Sequence, residues 1–171
     1  MNKKIRFITR TAILLALAIV FQMLGRYIPL GPNSQFVVGP LINACLMVAA
    51  AMVGLSGGGI VALLSPFGAI LTGAAIPLPF APFVALGNFL LVLLFFLFMY
   101  RSKILGLTLG ALAKSVWLFA AIKIFVWAMD MKGKKAEMLL WSFSWPQAIT
   151  ALVGGVLALL LIKVLDKNIQ K

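Results

Sequence analysis

The chain has 171 residues, of which 64% are hydrophobic and 11% are charged, and its mean hydropathy is +1.15. Ordinary soluble domains are about 45–50% apolar and about 25% charged, so this composition excludes a soluble globular domain and predicts an integral membrane protein. The formal charge of +12 does not indicate a nucleic-acid-binding face, because the cations stand at the ends of apolar segments, where topology and anionic lipid headgroups favour them.

Six apolar segments follow one another along the chain and predict six transmembrane helices in a single domain, residues 1–171. A helix that crosses about 30 Å of hydrocarbon needs about 20 residues, and most of these segments approach that length. The fold class is therefore an all-α integral membrane bundle. The expected spans are 5–24, 36–55, 60–74, 83–100, 104–128 and 138–164.

Glycine and proline residues mark the predicted connections between the spans. Two prolines and two glycines in residues 25–34 end the first helix, and Ser56–Gly59 predicts a tight turn between the second and third spans. Ser65 and Pro66 predict a kink within the third span. A proline-rich apolar connection, residues 75–82, leads into the fourth span.

Lysine and arginine residues are distributed unequally between the two sides of the predicted bundle. Nine lie on the side of the N-terminus, four lie on the opposite side, and two, Lys114 and Lys123, lie within a span. Cytoplasmic connections carry the excess of lysine and arginine in membrane proteins, so both termini are expected in the cytoplasm.

The sequence has no pattern that is typical of an enzyme. It contains no histidine and one cysteine, which leaves no Cys/His set for zinc, and its three acidic residues form no buried pair for acid–base catalysis. The Gly-x-x-x-x-Gly-Lys-Ser/Thr phosphate-binding loop is missing as well. We therefore expect no catalytic residue, metal or cofactor, and any work that the protein does has to be driven by another protein.

Several polar residues are predicted at one depth, towards the external side. At 1.5 Å per helical residue, Asn88 lies about 10 Å, Gln147 about 12 Å and Lys123 about 9 Å below the external end of its span. Asn43, in the second span, comes to a similar level. Because a polar side chain inside a bilayer costs free energy unless it is paired, such residues indicate a functional site, here an external-side cavity.

Two interpretations of Lys123 remain open. Trp127 and Asp130 follow it by four and seven residues, on the same face of the helix. Lys123 either extends outward and pairs with Asp130 or faces a carboxylate or phosphate of a substrate. Lys114, nine residues earlier, lies on the opposite face and nearer the cytoplasm, where it either contacts substrate or serves helix packing or coupling with a partner.

The remaining candidates also have two interpretations each. Asn88 and Gln147 either contact a ligand or hydrogen-bond between helices, which is common in membrane bundles. Trp141 and Trp145 either belong to an interfacial aromatic belt or stack on a flat ring of a ligand, where Pro146 loosens the helix beside Gln147.

Ala12 and Ala16 stand one turn apart on the first span and present a small-residue face on which another helix can pack closely. Four further motifs accompany this face: Val38-Gly-Pro-Leu-Ile-Asn43, Val53-Gly-Leu-Ser-Gly-Gly-Gly59, Ala85-Leu-Gly-Asn88 and Ser144-Trp-Pro-Gln147. Together with a basic N-terminus, six short spans and no ATPase motif, they make the chain resemble S-components, the membrane-embedded substrate-binding subunits of energy-coupling factor (ECF) transporters for vitamins and related micronutrients.

The resemblance implies partners and a mode of transport. A transmembrane coupling subunit would dock on Ala12 and Ala16, and two cytoplasmic ATPases would supply the energy while the whole subunit topples in the membrane. Substrate would bind near the outer side among the fourth to sixth spans, and the segment 75–82 would be a lid.

The substrate itself is less well defined. Because the spans contain no carboxylate to neutralise Lys114 or Lys123, we expect a small, partly aromatic and anionic compound. Two other functions stay open, a membrane assembly protein without a ligand and a membrane-embedded enzyme or enzyme accessory.

Overall fold

The computed structural model describes residues 2–27, 31–71 and 78–169, and it is helical almost throughout. Five helical stretches are long and apolar enough to cross a membrane, which confirms the predicted all-α membrane class. The helices are α1 (Lys3–Tyr27), α2 (Gln35–Leu71), α3 (Ala81–Phe98), α4 (Lys103–Ala128), α5 (Lys134–Ser142) and α6 (Trp145–Ile169), with short 3₁₀ helices at Gly31–Ser34 and Leu78–Phe80.

Helix α2 consists of two segments that fold back on each other at Gly54. The backbone there has φ +80° and ψ −176°, the one departure from helical angles within α2. An ideal Cβ on Gly58 would lie 3.0 Å from the Cα of Ala50, although a straight helix would hold these residues about 12 Å apart. The reversal therefore lies at Gly54 and not in Ser56–Gly59, because only glycine adopts such angles readily. At Pro66, where the sequence predicts a kink, the backbone angles stay helical.

Close contacts at glycines show the direction in which each helix runs. Gly25 of α1 faces Val38, so the end of α1 lies beside the start of α2 and the two are antiparallel. Gly39 of α2 faces Thr150, and Gly154 faces Pro40, so α6 runs parallel to the first half of α2.

Helices α3 and α4 complete the bundle as an antiparallel pair. Gly59 of α2 faces Phe89, and Gly58 faces Val92, so α3 runs back towards Gly54. Gly106 of α4 lies against the backbone of Phe95 in α3. The start of α1, the turn at Gly54, the α3–α4 connection and the end of α6 thus share one end of the bundle, which we call the Gly54 end; the other is the outer end.

The first half of α2 is the central element of the core. Residues 43–50 are all buried, as expected for a helix that is apolar on every side and surrounded by other helices. Leu46 and Met47 pack with Leu91 and Phe95 of α3 in the main apolar cluster. Asn43 on α2 and Asn88 on α3 are therefore held on closely packed helices.

The sixth predicted span, 138–164, is divided in the structure. Helix α5 ends at Ser142 and α6 begins at Trp145, because Pro146 has no backbone N–H to donate to the carbonyl oxygen of Ser142 and is tolerated in the first turn of a new helix. The fourth span also begins earlier than predicted, at Ala81.

Helix α5 caps the outer end of the bundle instead of continuing the last span. Its buried Ala136 joins Phe80, Ile122 and Val126 in a second apolar cluster. Of the predicted lid at 75–82, residues 75–77 lie outside the described part of the chain.

Candidate functional site

Three polar side chains from three helices meet inside the bundle. Lys114 on α4 is only 4% exposed. Its Nζ donates a hydrogen bond of 2.6 Å to Asn43 Oδ1 on α2 and one of 2.7 Å to Asn88 Oδ1 on α3. Both asparagines are 1% exposed. We call Asn43, Asn88 and Lys114 the lysine–amide cluster, and it is the most polar place in the described interior.

The lengths of α3 and α4 explain why Lys114, and not Lys123, stands beside Asn88. The 26 residues of α4 span about 39 Å and the 18 residues of α3 about 27 Å. The two helices are closely aligned near the Gly54 end, where Gly106 touches Phe95, so α4 extends further at the outer end. The sequence prediction placed the external ends of the fourth and fifth spans at the same depth in the membrane. It therefore placed Lys123 too deep and Lys114 too near the cytoplasm.

Lys123 and Trp127 lie outside the lysine–amide cluster. Lys123 is exposed, with its Nζ 5.9 Å from the centroid of the Phe119 ring, and Trp127 is 82% exposed. Of the two interpretations of Lys123, the pairing with Asp130 is not the arrangement in the structure, where Asp130 forms a salt bridge with Lys132 at 3.0 Å. Lys123 therefore lies on the exposed surface of α4, outside the interior of the bundle.

Gln147 connects α5 to α6. Its side-chain Nε2 donates to the backbone carbonyl oxygen of Ser142 at 3.0 Å. The backbone carbonyl oxygen of Gln147 accepts from Thr150 Oγ1 at 3.1 Å. The side chain is half-buried and makes no hydrogen bond to the lysine–amide cluster. Its described contacts are those of a residue that holds the junction between two helices.

Trp145 belongs to a cluster of three aromatic rings at the outer end. The ring centroids of Phe36, Trp141 and Trp145 lie 6.0–6.2 Å apart, and Trp145 is 53% exposed. Beside these rings is a shallow cavity of about 360 Å³, whose described lining residues are Asn33, Glu137, Met138 and Trp141. Phe36 is not among the residues predicted for the site, although it precedes Asn43 by seven residues and so shares its helix face.

Direct packing of α2 against α6 lies between the aromatic rings and the lysine–amide cluster. An ideal Cβ on Gly39 would lie 2.9 Å from Thr150 Cβ, and one on Gly154 would lie 2.5 Å from the carbonyl oxygen of Pro40 and 2.7 Å from Asn43 Cβ. The glycines thus let α6 approach α2 closely enough to support Asn43.

Ala12 and Ala16 are exposed on α1. The opposite face of that helix carries the buried Thr11, Ala18 and Gln22, which point into the bundle. The predicted small-residue face is thus not covered by any helix of the described chain.

No group of three His, Cys, Asp or Glu residues that could hold a metal ion occurs in the described ranges. Comparison with known proteins gives one family: the model for the substrate-specific component of ECF transporters matches residues 6–165. No curated protein and no solved structure matches the chain. Because the family match runs from α1 into the last turns of α6, this multi-pass membrane protein belongs to the substrate-specific components of ECF transporters.

Proposed function

We propose that this protein captures a vitamin or a related small micronutrient at the outer face of a bacterial cytoplasmic membrane and delivers it inward together with a coupling subunit and two ATPases. The observation that carries the proposal is the lysine–amide cluster in a chain of this family. Asn43, Asn88 and Lys114 form its substrate site.

The energetics of a buried lysine support a binding role for the cluster. A charged lysine inside a membrane bundle is costly unless it is paired, and the partners of Lys114 are two uncharged amides. Of the two acids whose side chains the structure describes, Asp130 pairs with Lys132 and Glu137 lines the outer cavity. Because the two amides stabilise only part of the charge of Lys114, the site is suited to a ligand that carries a compensating negative charge.

The depth of the cluster supports entry from the outer end. Asn43 lies about 12 Å below the start of α2 and Asn88 about 10 Å below the start of α3. Both starts are at the outer end, under α5 and Phe80. A substrate from outside therefore has less of the bundle to cross than one from the cytoplasm.

The proposal includes six transmembrane spans with both termini in the cytoplasm. The reversal at Gly54 supports counting the two halves of α2 as separate spans, and Arg101 and Lys103 lie at the Gly54 end with the basic N-terminus.

Cysteine labelling tests this topology. In a Cys45→Ala background, Lys134→Cys is expected to react with a membrane-impermeant maleimide in intact cells, and Ser56→Cys is expected to react only after the membrane is opened. Both positions are exposed in the structure, so the side of the membrane decides reactivity. The opposite pattern at the two positions would overturn the orientation.

The partner proposal rests on the exposed alanine face of α1. Replacing Ala12 and Ala16 by tryptophan is expected to lower uptake by cells at least about tenfold and to leave substrate binding by the purified protein within about twofold. Bulky indole rings would keep a partner helix from close approach, while the lysine–amide cluster lies on other helices. Ile124→Trp, a change at an exposed position of α4, is the matched control and should preserve uptake.

Affinity purification of the wild type and the tryptophan variant separates the three functions that the sequence leaves open. Tagged wild-type protein is expected to bring a coupling subunit and two ATPases from the membrane, and the tryptophan variant is expected to lose them. Wild-type protein that binds no small molecule and brings no ATPase would favour an assembly protein. Turnover of a bound compound by the purified chain alone would favour an enzyme.

A further inference from the structure

The hydrogen-bonding capacity of the lysine–amide cluster is unbalanced. A lysine ammonium has three N–H donors and no acceptor, so it obliges both Asn43 and Asn88 to present their oxygens to it. Each amide nitrogen, Nδ2, is itself a donor and therefore makes no hydrogen bond to Lys114. Among the described residues, no hydrogen bond occupies either Nδ2 group or the third N–H of Lys114.

The unused groups are therefore all donors, and they surround one cation. In a buried site, an unmade hydrogen bond costs free energy, and more where the group is charged. A ligand that supplies only donors or an apolar surface would leave this cost in place. A ligand that supplies acceptor oxygens and one negative charge would remove it.

The charge of the cluster also limits the charge of the ligand. Lys114 is its only ionisable residue, so a single negative charge makes the loaded site neutral. A phosphate monoester carries about −1.5 to −2 near neutral pH and would leave excess negative charge inside the bundle. A carboxylate carries one charge and has two oxygens that accept about four hydrogen bonds.

We propose that the substrate of this protein is a monocarboxylate whose carboxylate binds the third N–H of Lys114 and the Nδ2 groups of Asn43 and Asn88. This inference rests on the proposed substrate-binding function and adds the chemical class of the substrate.

An isosteric change tests the proposal, because Asn88→Asp places a carboxylate on Lys114 within the protein itself. The internal ion pair would compete with the substrate and add a repulsive charge. We expect binding of the monocarboxylate to weaken at least about 100-fold. Asn43→Asp makes the same change from the other helix and is expected to have the same effect. Asn2→Asp, at an exposed residue at the Gly54 end, is the matched control and should bind like wild type.

The measurement uses the full chain in nanodiscs. Mass spectrometry identifies the small molecule retained from native membranes, and biotin, pantothenate and nicotinate are tested by thermal unfolding, each beside its primary amide. The expected result is a retained or stabilising monocarboxylate that the two aspartate variants no longer bind. Size-exclusion profiles and helical circular dichroism confirm that the variants are folded, and either variant alone suffices if the other fails to fold.

Each other outcome overturns the proposal in a recognisable way. A retained phospholipid, a phosphate ester or an uncharged molecule, or an amide that binds as well as its carboxylate, would refute the substrate class and leave the binding function standing. Unchanged binding in a folded aspartate variant would also refute the class. If the wild type retains no molecule and responds to no probe, the substrate class and the proposed function both fail.

Discussion

Lys114→Met is expected to weaken substrate binding at least about 100-fold. The substitution keeps an unbranched side chain of similar length and removes the charge and every N–H of the cation. A hydrogen bond to a charged group contributes about 1.5–3 kcal/mol, and 1.4 kcal/mol corresponds to tenfold in affinity, so loss of the ion pair and its hydrogen bonds exceeds 100-fold. Calorimetric titration of the purified variant with the substrate identified by mass spectrometry measures the change.

Lys123→Met is the matched control for this prediction. Lys123 lies on the same helix, carries the same charge and is exposed, so its loss is expected to change affinity less than about twofold. The Lys114 variant leaves Asn43 Oδ1 and Asn88 Oδ1 without their donor, so its size-exclusion profile and helical circular dichroism are compared with those of the wild type before the titration. Equal affinity losses in both variants would move the site to the outer half of α4 and contradict our assignment.

Gly154→Ala is expected to lower the free energy of unfolding by about 3 kcal/mol. The new Cβ would lie 2.5 Å from the carbonyl oxygen of Pro40 and 3.1 Å from its Cα, so α6 has to move away from the backbone of α2. Overpacking of this kind typically costs about 1–3 kcal/mol, and here the obstructing atoms belong to a helix backbone that cannot rotate aside. For a chain of this size we expect the thermal midpoint in detergent to fall by about 6–12 °C.

Two other glycines provide controls for this prediction. At Gly25 an ideal Cβ would lie 3.5 Å from Val38, an ordinary contact, so Gly25→Ala should change the midpoint little. At Gly155 a new Cβ would meet the side chain of Leu107 instead of a helix backbone, and because a side chain shifts more easily than a backbone, the loss should be smaller than at Gly154. A Gly154 variant as stable as the Gly25 variant would show that α2 and α6 are not in close contact.

The Gly154 variant should also bind substrate more weakly. Asn43 Cβ lies 2.7 Å from the position of the new methyl group, so the movement of α6 displaces the amide that orients Lys114. This result would link the helix packing to the proposed binding site, and the Gly25 variant should show no such loss.

Part of the candidate site could be predicted, because the sequence shows which polar residues fall within apolar segments. Asn43, Asn88 and Lys114 each stand within a long apolar segment, where a polar side chain is conspicuous. Their meeting could not be predicted, because it depends on how far α4 is shifted along α3. Gly106 sets that shift by its contact with Phe95, and nothing in the local sequence of α4 distinguishes Lys114 from Lys123 as the buried lysine.

The turn within α2 shows the same limit from a different cause. Three consecutive glycines at 57–59 are a stronger local turn signal than the single Gly54, yet the three are helical and lie in close contact with neighbouring helices. Likewise, the apolar residues on both sides of Pro146 predict one span. The structure instead divides them into α5 and α6, and α5 packs on Phe80.

The amino-acid sequence by itself determined the membrane environment, the apolar segments and the polar residues that lie within them, because these depend on the free energy of transferring each side chain out of water. Only the tertiary structure decided which of the two lysines is buried and which amides accept its hydrogen bonds. Those contacts depend on the relative sliding and close approach of whole helices, and they are set by glycines far apart in the chain.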